Sequence, residues 1–207
     1  GFNDLLAKAR VLEVVREKKR VAVALDRSPF YPEMGGQVGD AGTMSVNGQT
    51  WIVTDTQKVG GAFLHFLKGD TAPDQGVQVK LVVDAARRAA VQRHHTVTHL
   101  LHWALHEVTS PKSTQKGSYV GPEKLTFDFN CQPLSLGQIA DIEELVNERI
   151  LENEPVSSEE IPHVEVRDRD DILQFFGDKY GGLVRVVQIG GDIGRLNGYS
   201  MELCGGT

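Results

Sequence analysis

The sequence predicts an α+β protein in two parts: a β-barrel-like segment over residues 1–83, and a segment over 84–207 that combines an antiparallel sheet with helices. Three observations carry this. Short apolar runs separated by turn residues fill the chain up to residue 83. A long stretch of helical periodicity follows from Asp84, and two-residue alternation returns toward the C-terminal end.

The barrel runs are read at 11–15, 21–25, 44–46, 51–54, 62–67 and 77–83. Between two of them Asn47-Gly48 is the two-residue hairpin signal whose turn needs positive φ at both positions. Many short strands with turns between them favour closure into a small barrel. Asp84 then suits the N-cap of a helix running to about Val108. At about 100° per residue, Ala90, Val97, Leu101, Ala104 and Val108 fall on one side and His95, His99, His102 and His106 on the other. Spacing alone leaves the pairs 95/99, 99/102 and 102/106 equally able to share one ion. The plainer alternative is a row of partly exposed histidines bonded to water or carboxylates.

Ser135-Leu-Gly-Gln138 reads as a capping box for a second helix to about Asn153, with Ile139, Ile142, Val146 and Ile150 as its apolar stripe. Strands are expected at 124–130, where Leu125, Phe127 and Phe129 alternate with polar residues, at 183–189 and at 199–204. In the last of these Tyr199, Met201 and Leu203 share one face, and Ser200, Glu202 and Cys204 share the other. Cys204 thus points away from the apolar side, which favours a ligand over a small core hydrophobe. Gly205-Gly206 would let the chain bend tightly beside an ion. Asp168-Arg-Asp-Asp171 lacks the glycine and spacing of an EF-hand loop and is expected to begin a short helix ending near Gly177.

The 207 residues, 40% hydrophobic and 24% charged, can bury a sizeable core and have the make-up of a soluble globular protein. No apolar run approaches the roughly 18 residues of a membrane span, and with no secretory leader a cytoplasmic location is expected. Cys131 and Cys204 cannot build a disulfide framework, and a reduced thiol is what metal binding needs. The missing initiator Met suggests a piece of a longer protein. A net charge of −6 argues against nucleic-acid binding by bulk electrostatics. Local patches remain as candidate phosphate contacts: the run Arg16 to Arg20, Arg87 with Arg88 and Arg93, and Lys112 with Lys116, against the bland reading of solvated charges.

Five stretches occur in one order: Phe30-Tyr-Pro-Glu-Met-Gly-Gly-Gln-Val-Gly-Asp40, His95-Thr-Val-Thr-His-Leu-Leu-His102, Gln115-Lys-Gly-Ser118, Phe176-Gly-Asp-Lys-Tyr-Gly181 and Glu202-Leu-Cys-Gly-Gly-Thr207. Together they resemble the editing region of alanyl-tRNA synthetases, in the AlaX-like superfamily that includes the second additional domain of threonyl-tRNA synthetase. The resemblance covers nearly the whole chain. It implies a Zn2+ site of His95, His99 and Cys204, with a fourth ligand, the histidine of a Cys-x-x-x-His motif, at the position after Thr207, so this chain is expected to bind zinc weakly or not at all. It also implies hydrolysis of serine or glycine wrongly esterified to alanine tRNA. The partners would be the tRNA(Ala) acceptor end and the remainder of the synthetase chain, with no membrane. Alanine ligation and ATP use would belong to the full-length enzyme.

Within that resemblance Gln115 matches a pocket-lining position and is the candidate that recognises the serine hydroxyl. Lys116 and Arg88 are candidate tRNA contacts, and Gly35, Gly36 and Gln37 match a loop facing the cleft and the tRNA end. The same glycines equally suit a tight barrel turn. An activation pocket shaped for alanine excludes glycine and serine poorly, whereas a second site that bonds the serine hydroxyl rejects alanine well. With no Ser-His-Asp order in the chain, water is favoured as nucleophile. Two other readings stay open. One is a free-standing AlaX-type deacylase acting in trans, against which the wording of 35–40 and 176–181 stands. The other is a non-catalytic zinc-dependent tRNA-binding module, against which the open three-ligand arrangement stands.

Overall fold

A computed structural model describes residues 4–17, 20–110, 112–174 and 181–207. The chain divides into two compact units, one of Gly1–His94 with Ser118–Thr126 and Thr207, the other of His95–Gly117 with Phe127–Gly206. The units part within a long helix, whereas the boundary expected between 83 and 84 falls just before that helix begins. Barrel, sheets and helices together make an α+β architecture. Among the described residues no helix is long and apolar enough to cross a membrane.

The first unit is built on β1 (Leu6–Glu17), β2 (Arg20–Leu25), β3 (Gly42–Val46), β4 (Gln49–Val59), β5 (Ala62–Leu67) and β6 (Gln78–Val83). They close antiparallel in the order β1-β2-β5-β4-β3-β6, and β6 pairs back onto β1. Five of the six expected runs lie within these strands, and the sixth, 77–83, does so from Gln78. Alternation puts Val79, Leu81 and Val83 of β6 inward, where they pack with Ala9, Val11 and Met44. In β4 the inward set changes parity, from Trp51 and Val53 to Thr56, because a bulge between Val53 and Asp55 inserts one residue. Asn47 and Gly48 have φ of 49° and 81°, as their hairpin turn requires.

One polar side chain sits in this apolar wall. The ring of His65 is fully buried, and its Nδ1–H donates to the Val23 carbonyl at 3.0 Å. That leaves Nε2 bare to accept the Ser28 hydroxyl at 2.6 Å, while the Ser28 oxygen accepts the Phe30 N–H at 3.0 Å. The neutral ring satisfies this chain of bonds, and burial outweighs the bond to Val23, holding the pKa down to about 4.

The second unit takes the later part of α1 (Ala85–Val108), the start of β7 (Thr114–Val120) and the end of β8 (Leu125–Asn130), and continues through α2 (Leu136–Glu152), β9 (Val156–Pro162), α3 (His163–Val166), β10 (Leu183–Ile189) and β11 (Ser200–Leu203). As expected, Asp84 caps α1 by accepting the Arg87 N–H, and Ser135 and Gln138 form the capping box of α2. β7 and β8 pair as a two-stranded sheet, and a second sheet has the antiparallel order β11-β10-β9. On one face of this sheet Val184, Val186, Met201 and Leu203 pack with Val166 and Ile172. On the other, Ile189 joins Leu100, Ala104 and Leu105 of α1 and Ile142 and Val146 of α2. Register sets Glu202 opposite Val187 and Ser200 opposite Ile189, so Glu202 lies on the Ile189 face.

Several expectations are corrected by this packing. Leu100 and Leu105, outside the expected stripe of α1, are buried, because the helix is covered on more than one side. Ile139 and Ile150 of α2 stay about half exposed, and only Ile142 and Val146 reach the core. Tyr199 packs with the α1–α2 cluster and not with Met201 and Leu203. β7 and β9 are strands that polar composition concealed. The described short helix is α3; residues 168–174 are not helical, and 175–177, where the expected helix would end, lie outside the described residues. Residues 176–180 of the Phe176–Gly181 motif lie outside the described residues.

The His65 network generates a pH prediction. A buried base whose pKa falls from 6.5 to about 4 on folding contributes stability that is fully present above pH 6.5 and lost as pH falls toward 4, because the unfolded chain then binds the extra proton. The contribution is about 3 kcal/mol. Urea unfolding from pH 7 to 4.5 should show the stability gap between wild type and His65→Gln closing as pH falls; parallel curves would contradict it.

Candidate metal centre

His95 and His99 stand one helical turn apart on α1, with ring centroids 5.0 Å apart and planes within 12°. Cys204, just past β11, brings its Sγ to 3.2 Å from His95 Nε2. One ligand atom from each of His95, His99 and Cys204 lies within 4.8 Å of the other two. A tetrahedral ion at about 2.0–2.3 Å from such donors holds them roughly 3.4–3.6 Å apart. The cluster therefore fits a borderline-soft divalent ion with small ring movements and a position left open for water.

The strand end is held from several sides. The Cys204 N–H donates to the Arg185 carbonyl at 3.0 Å, and the Arg185 guanidinium donates to the carbonyls of Cys204 at 3.1 Å and Gly206 at 2.7 Å. The Gly206 N–H points at the sulfur, 3.4 Å away. Gly205 departs from expectation: its φ is outside the left-handed region, and an added Cβ would meet nothing within 4 Å. The local backbone therefore makes no demand for glycine there.

Burial opposes charge on each of three groups, and in each case a partner overrides it. Hydrogen bonds and charge from His95 and His99 bring the buried Cys204 thiol down to about 5. The charge of Glu202, with hydrogen bonds to Cys204 and Glu202, raises His99 to about 10. The charge of His99, with hydrogen bonds from His102 and His99, lowers Glu202 to about 2. At neutral pH the cluster thus holds a thiolate, an imidazolium and a carboxylate. A cation taken up by His99 displaces that ring's proton.

Sequence alone assigns Glu202 no role and offers His102 only as one of several possible ligands by spacing, yet both are 4% exposed and both belong to this network. His99 Nδ1 lies 2.5 Å from Glu202 Oε2, and His102 Nδ1 lies 3.3 Å from Oε1. The available signal was alternation: Glu202 shares a strand face with Cys204, and an ionisable residue in the middle of an apolar strand needs a partner. Both cysteines are free, Cys131 on the surface and Cys204 half-buried.

In the same unit Gln115 lies half-buried on β7 with Lys116 exposed beside it. Gly35, Gly36, Gln37 and Arg88 belong to the first unit. Gly35 and Gly36 are exposed, with φ of 61° and 84°, and make the tight turn closed by bonds between Met34 and Gln37. A Cβ on Gly36 would come within 2.5 Å of the Ser118 carbonyl oxygen, so close backbone approach demands glycine there. Gln37 turns inward: it is 1% exposed, donates to Thr207 Oγ1 at 2.8 Å and accepts the Thr207 N–H at 3.2 Å. This corrects its assignment to the tRNA end, since the amide is clasped at both atoms. Arg88 is corrected likewise. It is 2% exposed, its Nε donates to both oxygens of Asp40 at 2.9 and 3.0 Å, and Nη2 bonds Asp40 and the Pro29 carbonyl. A guanidinium so enclosed is not offered to a phosphate.

Residues 2–87 match the family described as class II (A) tRNA synthetases. Similarity to one kind of enzyme runs the whole length of the chain. The alanine–tRNA ligases of Akkermansia muciniphila and Methylacidiphilum infernorum are each 46% identical over 209 residues, covering 100% of this chain and 22% of the ligase. That of Opitutus terrae is 41% identical over 215 residues, with the same coverage. The chain is similar end to end to a segment of alanine–tRNA ligase, and spans 22% of the length of these curated relatives.

Removing Arg88 would leave Asp40 buried and uncompensated. Arg88→Ala should lower unfolding free energy by about 3–5 kcal/mol, whereas Arg93→Ala, at an exposed position, should change it by less than about 0.5 kcal/mol. Chemical denaturation decides, and equal stability of the two variants would restore Arg88 as a surface contact.

Proposed function

We propose that this chain is the proofreading segment of an alanine–tRNA ligase, with residues 84–207 as its deacylase domain and 1–83 as a barrel subdomain. Its reaction is hydrolysis of the ester joining serine or glycine to the 3′ end of tRNA(Ala). The observation that carries the reading is the convergence of two imidazoles and a thiolate from distant parts of the chain, in a segment resembling alanine–tRNA ligases throughout.

In this reading the ion is Zn2+, held by His95, His99 and Cys204, and when bound it supplies a Lewis acid. The chain's own residues supply selection. The Gln115 amide can both donate to and accept from a serine hydroxyl. An alanyl ester presents a methyl group in that place and leaves the amide unpaired, at a cost of about 1–3 kcal/mol. Glycine leaves room for a water to take the hydroxyl's position. Lys116, exposed beside Gln115, would meet backbone phosphate; taken by itself, the first unit offers the exposed backbone of Gly35 and Gly36 as a candidate tRNA contact.

The test is release of amino acid from Ser-tRNA(Ala), Gly-tRNA(Ala) and Ala-tRNA(Ala), by this chain and by the full-length ligase. Wild type should release serine and glycine and spare alanine, and Cys204→Ala should fall to the uncatalysed rate. Gln115→Ala should lose about 10–100-fold in preference for serine over alanine with unchanged urea unfolding. Zn2+ should raise the Tm of wild type and not of Cys204→Ala. Mischarged tRNA that binds and stays intact would replace this reading with a non-catalytic binding module.

A further inference from the structure

The three ligand candidates leave unexplained why a fourth ionisable side chain is sealed beside them. Glu202 is walled in by backbone on both sides: β10 pairs with β11 along one edge, and Leu173 bonds the backbone of Met201 and Leu203 along the other. Two histidines reach its carboxylate, and both do so through Nδ1, one to each oxygen. A carboxylate only accepts, so each Nδ1 must carry the proton. With Nδ1 of His99 committed, Nε2 is the one nitrogen of that ring left for an ion. His102, three residues further along α1, packs on Phe127 at 5.2 Å and completes the grip on the acid.

We propose that Glu202 is the positioning residue of the metal centre: its carboxylate, anchored by His102, fixes the orientation and tautomer of His99 so that Nε2 faces the ion. The histidine row of α1 then divides by role. His95 and His99 are ligands, and His102 supports one of them through a shared carboxylate without touching the ion. This arrangement matches the general habit of ligating histidines, whose second nitrogen donates to a carboxylate or carbonyl, and losing such a partner typically weakens metal binding about 10–100-fold. The inference rests on the metal-centre reading, and the experiment separates the two.

Zn2+ affinity is measured by competition with a chromophoric chelator, and Co2+ is used to read the ligand set through its visible and thiolate-to-metal bands. Glu202→Gln replaces one acceptor by an NH2 donor, so one of the two rings must give up its Nδ1 proton. Expected are about 10–100-fold weaker Zn2+ binding, an altered Co2+ spectrum, and retained cooperative unfolding of the metal-free protein. Wild-type affinity with an unchanged Co2+ spectrum in Glu202→Gln overturns the proposal. If Glu202→Gln does not fold, His102→Asn decides in its place: a several-fold loss of affinity supports the proposal, and unchanged affinity and spectrum overturn it. Failure of the wild type to bind either ion both in this chain and in the full-length ligase, or equal binding by Cys204→Ala, overturns the underlying metal-centre reading as well.

Discussion

A buried carboxylate holds the last strand of the second unit against α1, and the packing of that unit and the geometry of its candidate metal centre both follow from it. Burying Glu202 and His99 as charges costs several kcal/mol per ion, offset only where the partners are close and well aligned. That condition fixes register. A one-residue slip of β11 would turn Glu202 into the cluster of Val184, Val186 and Ile172, and would set Met201 or Leu203 against the imidazoles. The slipped state loses on both faces at once. Cys204, two residues beyond Glu202 on the same face, is carried into position by the same constraint, so the requirement for a folded sheet and the requirement for a thiolate beside His95 are one requirement.

What could be read from the sequence depended on whether the signal was local. The barrel strands announce themselves because their inward residues repeat with period two and their turns carry residues such as Asn47-Gly48. The α2 cap is legible because a capping box spans four residues. β9, Val-Ser-Ser-Glu-Glu-Ile-Pro, hides because it pairs on one side only and exposes much of its length, leaving little apolar alternation to see. β7, Thr-Gln-Lys-Gly-Ser-Tyr-Val, is polar and carries a glycine, the composition of a loop. Arg88 misleads for a different reason. Sequence shows that a residue is charged and not whether a partner awaits it, and Asp40 is 48 positions away. Glu202 was placed on the right face and still left without a role, because its two histidines lie about a hundred positions upstream and only the folded chain joins them.

Among the described residues two ionic groupings are buried, and their difference in chemistry separates scaffold from site. In the first unit Asp40 receives the Arg88 guanidinium and also the Tyr31 N–H at 2.6 Å, while Arg88 further engages the Pro29 carbonyl. An arginine keeps its proton under any physiological condition, so this pair has one state and can only hold the fold together. In the second unit the thiolate of Cys204, the imidazolium of His99 and the carboxylate of Glu202 form a row in which the central cation is a proton on a ring nitrogen. That proton is exchangeable for a metal ion without disturbing the bond from Nδ1 to Glu202. The sulfur of the half-buried Cys204 lies near His95 and His99 and retains lone pairs for the same ion. Arg88–Asp40 is complete as it stands, whereas His95, His99 and Cys204 bring two ring nitrogens and a sulfur together as candidate ligands, which is why the proposed chemistry is assigned to the latter and structure to the former.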